Sequence, residues 1–216
     1  MNKKLVIGGI VLLLIIGGGA FLLLGGTEPK PGLGESGPDT IPTKWSQAGD
    51  YEIKDVVGQQ TVVTNAKAGF SFKVPEGWSV KDENFGEEYS LNLLHPNAEF
   101  DNNNLLVSGC FINVETMYQP DEAIYVTAII KDLENNPSIS DNRAVIKLGE
   151  RLALQTSIIS SASSDNPEIM KKIRDIIQIA IPLNQEIVVN FQLTLKKNFT
   201  DQCVTILNRL SSEGSF

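Results

Sequence analysis

Leu5 to Leu24, LVIGGIVLLLIIGGGAFLLL, contains no charged or strongly polar side chain. Coiled as a helix at about 1.5 Å per residue, it spans roughly the 30 Å of a bilayer's hydrocarbon core. A helix closes its own backbone hydrogen bonds, so such a stretch can cross lipid where an irregular chain cannot. The run therefore reads as a single transmembrane helix over residues 5–24, behind a tip of residues 1–4. Lys3 and Lys4 stand just before it, whereas Glu28, Lys30, Glu35 and Asp39 follow. The positive-inside rule then predicts a single-pass signal anchor in the cell membrane, with the amino terminus cytoplasmic and the carboxy-terminal domain outside. A cleaved signal peptide is the rival reading. Its apolar core is usually shorter, about 7–15 residues, and no A-x-A-like site follows here, Gly26 being a weak substitute. No cysteine directly follows the run to accept a lipid. Gly8, Gly9 and Gly17 to Gly19 form no G-x-x-x-G spacing, so pairing through the anchor is not expected.

Residues 25–45, GGTEPKPGLGESGPDTIPTKW, are rich in Gly and Pro and have little to bury. Such a segment cannot offset its own ordering entropy, which predicts an extended linker. Residues 46–216 are enough for one extracytoplasmic domain with its own core. Setting aside Lys3 and Lys4 takes the formal net charge from −8 to −10. Nucleic acid and anionic lipid need a basic footprint, so an acidic domain is a poor partner for either.

Within the domain, Tyr51–Val57 and Thr61–Thr64 read as short strands around a turn at Gly58. Phe70, Phe72 and Val74 then alternate with Ser71 and Lys73, the period of a half-buried strand. Pro75 ends that ladder, Gly77 supplies turn freedom, and Trp78 opens the next extended piece. Tyr89–Leu94 and Leu105–Thr116 read as strands. Pro120–Glu134 reads as a helix with Asp121 and Glu122 at its positive end and an apolar face of Ile124, Tyr125, Ala128, Ile129 and Leu133. Asn135-Asn136-Pro137 stops it. Ala144–Lys147 and Leu152–Ile159 pair around Gly149, and Ser160–Pro167 is a polar loop. Ile173 onward is ambiguous, since Ile169, Ile173, Ile176 and Ile177 would also suit a helix. From Ile177, strict alternation on both sides of Asn184-Gln185 predicts a hairpin with a two-residue loop. A last helix, capped by Asn198 or Thr200, carries Cys203, Ile206, Leu207 and Leu210 on one face.

The stretch AGFSFKVPEGWSV, from Ala68 to Val80 and preceded by Thr64-Asn65-Ala66, resembles the opening signature of PsbP-like domains. That family is named for an extrinsic subunit of the photosystem's oxygen-evolving complex. The element order from Tyr51 to the terminal Ser-Phe is also similar. The resemblance implies an α+β fold, with an antiparallel β-sheet flanked by helices as an α/β/α sandwich. Its motif residues, Phe70, Phe72, Pro75, Gly77 and Trp78, are structural, so it brings no catalytic residue and no photosynthetic role.

Candidate chemistry is sparse. His95 is the only histidine, and a Ser-His-Asp arrangement would need it beside Asp101. No nucleophile elbow, phosphate loop or dinucleotide fingerprint is present. Asp82, Glu83, Glu87 and Glu88 crowd one segment, with Glu99 and Asp101 after His95. Carboxylates with one imidazole suit calcium or manganese, but the spacing is not that of an EF-hand, and a solvated acidic loop is the plainer reading. Cys110 shares a face with Ile112 and Val114, and Cys203 lies on the core face of the last helix. Packing that helix on the sheet would let the sulfurs meet, leaving a disulfide or two buried thiols open. With no C-x-x-C, neither thiol exchange nor zinc binding is expected. The expected role is a membrane-tethered binding or assembly module without catalytic activity or cofactor, whose partner is an envelope protein or polymer. The alternatives are an envelope hydrolase or metal-dependent enzyme built around His95, and a structural spacer domain.

Overall fold

The computed structural model describes residues 44–55, 59–85, 88–136, 142–159 and 174–216. The expected transmembrane segment, most of the expected linker, the Gly58 turn, Gly86-Glu87, Pro137 and the 160–173 segment lie outside the described residues. Among the described residues, no helix is long and apolar enough to cross a membrane.

Twelve strands and two α-helices are described: β1 Tyr51–Lys54, β2 Val62–Asn65, β3 Phe70–Lys73, β4 Ser79–Phe85, β5 Glu88–Leu94, β6 Glu99–Phe100, β7 Leu106–Ser108, β8 Cys110–Tyr118, α1 Pro120–Asn135, β9 Arg143–Leu148, β10 Arg151–Ile158, β11 Asp175–Pro182, β12 Ile187–Leu195 and α2 Thr200–Glu213. Seven strands form one antiparallel sheet in the order β4-β5-β8-β12-β11-β10-β9, and β1-β2-β3 form a second. This is the α+β architecture of antiparallel sheets with helices that the signature implied.

Alternation along the strands gives the large sheet two faces. One carries Leu91, Leu93, Ile112, Val114, Ile179, Phe191 and Leu193, buried with Phe70, Phe72 and Trp78 and with Leu207 and Leu210 of α2. Phe191 is fully buried, and its ring meets those of Phe72 at 5.5 Å and Phe216 at 5.8 Å, both edge to face. The opposite face carries Met117, Leu154, Ala180 and Val188 under α1. The two helices therefore cover opposite faces of the sheet, and the three-stranded sheet shares the α2 side.

Several local expectations shift. α1 buries Ala123, Val126, Ile130 and Leu133, and Ile124 is 58% exposed, so the expected face is rotated by roughly one position. Apolar residues occupy more than half of this helix's circumference, and the sheet selects among them. The 105–116 stretch is two strands, because Gly109 takes φ +76° and breaks the ladder. The hairpin loop covers four residues, Leu183 to Glu186, because the Asn184 side-chain oxygen accepts the backbone N–H of Glu186 (2.8 Å) and Ile187 (2.9 Å). α2 is preceded by a 3-10 turn, Lys197–Phe199, and its N-cap is Phe199 without a side-chain cap. Lys44 and Trp45, at the end of the predicted linker, already pair with the sheet. Lys44 accepts from the Tyr118 N–H at 2.7 Å, and Trp45 bridges Met117.

Gly109 is required twice over. Its backbone conformation suits glycine, and a β-carbon there would fall on the Asn97 carbonyl and the Ala98 backbone. Gly109→Ala is expected to lower the unfolding free energy by about 2–3 kcal/mol, read from the midpoint of a urea melt. An unchanged midpoint would mean that the Pro96–Ala98 turn does not seat against this residue.

Candidate functional site

That turn forms one wall of a cleft of about 810 Å³, bounded by three other segments: Gln59 to Thr61, Lys73 to Trp78 and one face of α2. Each wall has a local cause. Pro75 lacks an N–H and ends β3, the Trp78 N–H returns to the Pro75 carbonyl at 3.1 Å, and Gly77 takes φ +78°. The chain thus doubles back and drops the indole into the core, 9% exposed. On α2, Gln202, Ile206, Arg209 and Glu213 recur at helical spacing and face the cleft together.

His95 sits at the end of β5 and is 6% exposed. Its backbone N–H donates to the Cys110 carbonyl at 3.3 Å, which ties the turn to β8. Its Nδ1 accepts the Asn97 N–H at 3.0 Å. Its ring meets Trp78 at 5.2 Å and Phe199 at 5.9 Å, both edge to face. Burial holds the imidazole below its ordinary pKa, so it is neutral at pH 7. In a neutral ring whose Nδ1 accepts, Nε2 carries the proton.

The two cysteines form the disulfide that the sequence left open. Cys110 and Cys203 are bonded at 2.04 Å, and both are fully buried. The bridge clamps α2 to the strand whose first residue holds the His95 turn.

Among the described residues, the carboxylates are not gathered around His95. Asp82 and Glu83 are exposed in β4, paired with Leu91 and Ser90. Glu88 opens β5, and Glu87 lies outside the described residues. This segment belongs to a hairpin rather than an open loop, and about 17 Å of strand separates its Ser90 position from His95. Among the described residues, no group of three or more histidine, cysteine or acidic side chains is placed to hold a metal ion. Asp101 instead caps the β6–β7 turn. Its carboxylate accepts the N–H groups of Leu105 (2.9 Å) and Asn103 (2.8 Å), and those bonds hold its pKa below the usual range.

One half-buried carboxyl escaped the sequence reading. Glu115 lies in β8, opposite Ser90 of β5 and Asn190 of β12. Burial, with Glu88 nearby as a second negative charge, pushes its pKa up to about 7. Glu115 has the odd-numbered parity of Asn113 and Met117, so it faces the α1 side and takes no part in the cleft. The cleft itself was partly legible: Pro75, Gly77, Trp78 and His95 had been singled out. Gln59, Gln60, Gln202 and Arg209 carry no signal in isolation, because only folding brings them beside the signature turn.

No family model and no curated protein matches the chain. Among solved structures it is similar to LpqN of Mycobacterium tuberculosis, described as involved in cell envelope biogenesis. That match has 14% identity and a TM-score of 0.42, covering 76% of this chain and 90% of that one. It is also similar to the cyanobacterial PsbP (CyanoP) of Synechocystis, at 12% identity and a TM-score of 0.42, covering 85% of this chain and 98% of that one. The structural neighbours thus include a PsbP, the family whose opening signature the Ala68–Val80 stretch resembles.

Proposed function

We propose that this chain is a membrane-tethered, extracytoplasmic binding module that engages an envelope protein or polymer through the cleft and turns nothing over. The observation that carries this reading is the make-up of the cleft. Its floor is apolar (Val74, Pro75, Trp78, Leu210), and its rim offers Lys73, Gln59, Gln202 and Arg209. That is the composition of a recognition site. The groups that would serve hydrolysis are already engaged. The Thr61 hydroxyl, the only one in the described lining, donates to Asp55 at 3.1 Å, and the His95 Nδ1 is held by Asn97. Neither is paired with the other as nucleophile and base.

The tether follows from Leu5–Leu24 and from the two lysines before it. A linker of about twenty residues behaving as a random coil reaches about 25 Å, which raises the domain's effective concentration for neighbours in the same membrane. The Cys110–Cys203 bridge supports an oxidising, extracytoplasmic placement.

The test uses the full-length chain in detergent against solubilised envelope and purified envelope polymer. Capture is expected, with no turnover of ester, peptide or glycoside substrates. The exposed rim variants Lys73→Ala and Gln202→Ala should weaken capture without lowering the melting temperature. Protease added to spheroplasts should remove the domain and leave the amino terminus in the membrane. Hydrolysis that disappears in His95→Ala would establish the enzyme reading instead, and a mature chain beginning near Thr27 would remove the anchor.

A further inference from the structure

Two rings on the cleft wall carry N–H donors for which the described residues provide no acceptor. Trp78 and His95 are 9% and 6% exposed, and both line the cavity. An indole offers only its Nε1–H, and among the described residues Trp78 makes no side-chain hydrogen bond. The His95 Nδ1 is occupied by the Asn97 N–H, which leaves Nε2–H as that ring's donor, likewise without an acceptor. Neither nitrogen is sealed in the protein. The fully enclosed unpartnered atoms among the described residues belong to Asn65, Asn113, Tyr118 and Asn190. Two largely buried rings on the cavity wall thus each carry an N–H for which the described residues supply no acceptor.

The charged groups lining the cavity narrow the ligand. They are Lys73, Glu76, Arg209 and Glu213. Arg209 and Glu213 are already paired, Nε to Oε1 at 2.9 Å, while among the described residues Lys73 has no ion-pair partner. Beside the donors the walls are apolar, from Val74, Pro75, Ile206 and Leu210. From this arrangement we infer that the cleft binds a carboxylate carried on a short apolar chain, with its two oxygens against Trp78 Nε1–H and His95 Nε2–H and with Lys73 supplying the countercharge. The two rings are neighbours, 5.2 Å apart and edge to face, so the donors they carry belong to one stretch of the cavity wall. A hydrogen bond from each to an anion is stronger than one to a neutral carbonyl. This rests on the cleft being the binding site proposed above, and it names the chemistry that site selects.

His95 is the only histidine in the sequence, so its ring resonances report on the site without assignment. The full-length protein in detergent is titrated with N-acetyl-leucine, hexanoate and N-acetyl-leucinamide. N-acetyl-leucine is expected to shift the His95 ring signals and one indole N–H signal saturably, and Trp78→Phe identifies that indole. It should also move the His95 titration midpoint upward, because a bound anion favours the imidazolium. The neutral leucinamide should bind about tenfold more weakly, the loss expected when a charge-assisted hydrogen bond becomes a neutral one. Hexanoate matching N-acetyl-leucine assigns the site to an acyl carboxylate. Hexanoate failing where N-acetyl-leucine binds assigns it to a peptide terminus. Either result supports the carboxylate inference. Lys73→Gln, at an exposed position, should weaken N-acetyl-leucine and leave leucinamide unchanged. Equal binding of acid and amide, or no movement of the His95 signals with any probe, overturns the inference. If envelope capture persists in that case, the binding-module reading stands without it, and absence of capture overturns that reading separately.

Discussion

Replacing Cys110 and Cys203 together by alanine is expected to lower the unfolding free energy by about 4–5 kcal/mol. The bridge closes a sequence separation of 93 residues, and in the chain-entropy picture a loop of that size removes about that much disorder from the unfolded chain. For a domain whose whole stability is of the order of 5–15 kcal/mol, that is a large share. Losing two sulfurs from a fully buried site adds a packing cost of the same sign. The measurement is a urea melt of wild type and double variant, both without reductant. The variant should also lose the cleft before the rest of the sheet, because the bridge holds α2 against β8. A double variant as stable as wild type would mean that the unfolded chain is restrained some other way. A native protein with two alkylatable thiols after denaturation would mean that the bridge does not form.

Glu115→Gln is expected to stabilise the domain at pH 8 by up to about 3 kcal/mol and to leave it unchanged near pH 4. The sign follows from the direction of the shift. A carboxyl whose pKa in the folded chain lies near 7, above its ordinary value of 4.5, binds its proton more tightly when folded. The stability linked to that proton is complete below about pH 4.5 and is lost as pH rises through 7. At pH 8 the wild type holds a half-buried carboxylate near Glu88, and glutamine removes the charge. Asn190 sits opposite Glu115 in the ladder with its side-chain oxygen buried and unpartnered. A protonated Glu115 or a glutamine brings an N–H or O–H donor to that strand position, whereas a carboxylate brings none. Thermal melts of both proteins at pH 4, 6 and 8 decide the matter. A difference independent of pH would show that Glu115 titrates normally.

Both predictions depend on positions the sequence presents unequally. Cys110 and Cys203 were legible as core-facing, because each falls in phase with apolar neighbours in its own element. Glu115 was not, since an acidic residue in an alternating strand looks like an ordinary solvent-facing one until something covers it. The same holds for α1. Its composition and its ends are visible locally, but its apolar residues run most of the way round, so no periodicity selects Ala123, Val126, Ile130 and Leu133 over Ile124 and Ala128. The sheet made that selection.

The sequence alone determined what depends on neighbours along the chain. The two-residue alternation through Ile177–Leu195, the breaks at Pro75 and Gly77 and the helical spacing in the last segment are local matters of sterics and backbone hydrogen bonding. The placement of an uncharged run behind Lys3 and Lys4 is equally local. Only the tertiary structure decided what depends on neighbours across space. It chose the buried face of α1 and joined the two cysteines. It set the acidic hairpin apart from His95 and gathered residues from Gln59 to Gly214 around one cleft. Burial and pKa are set by whatever packs against a side chain, and here those partners come from segments far apart in the chain.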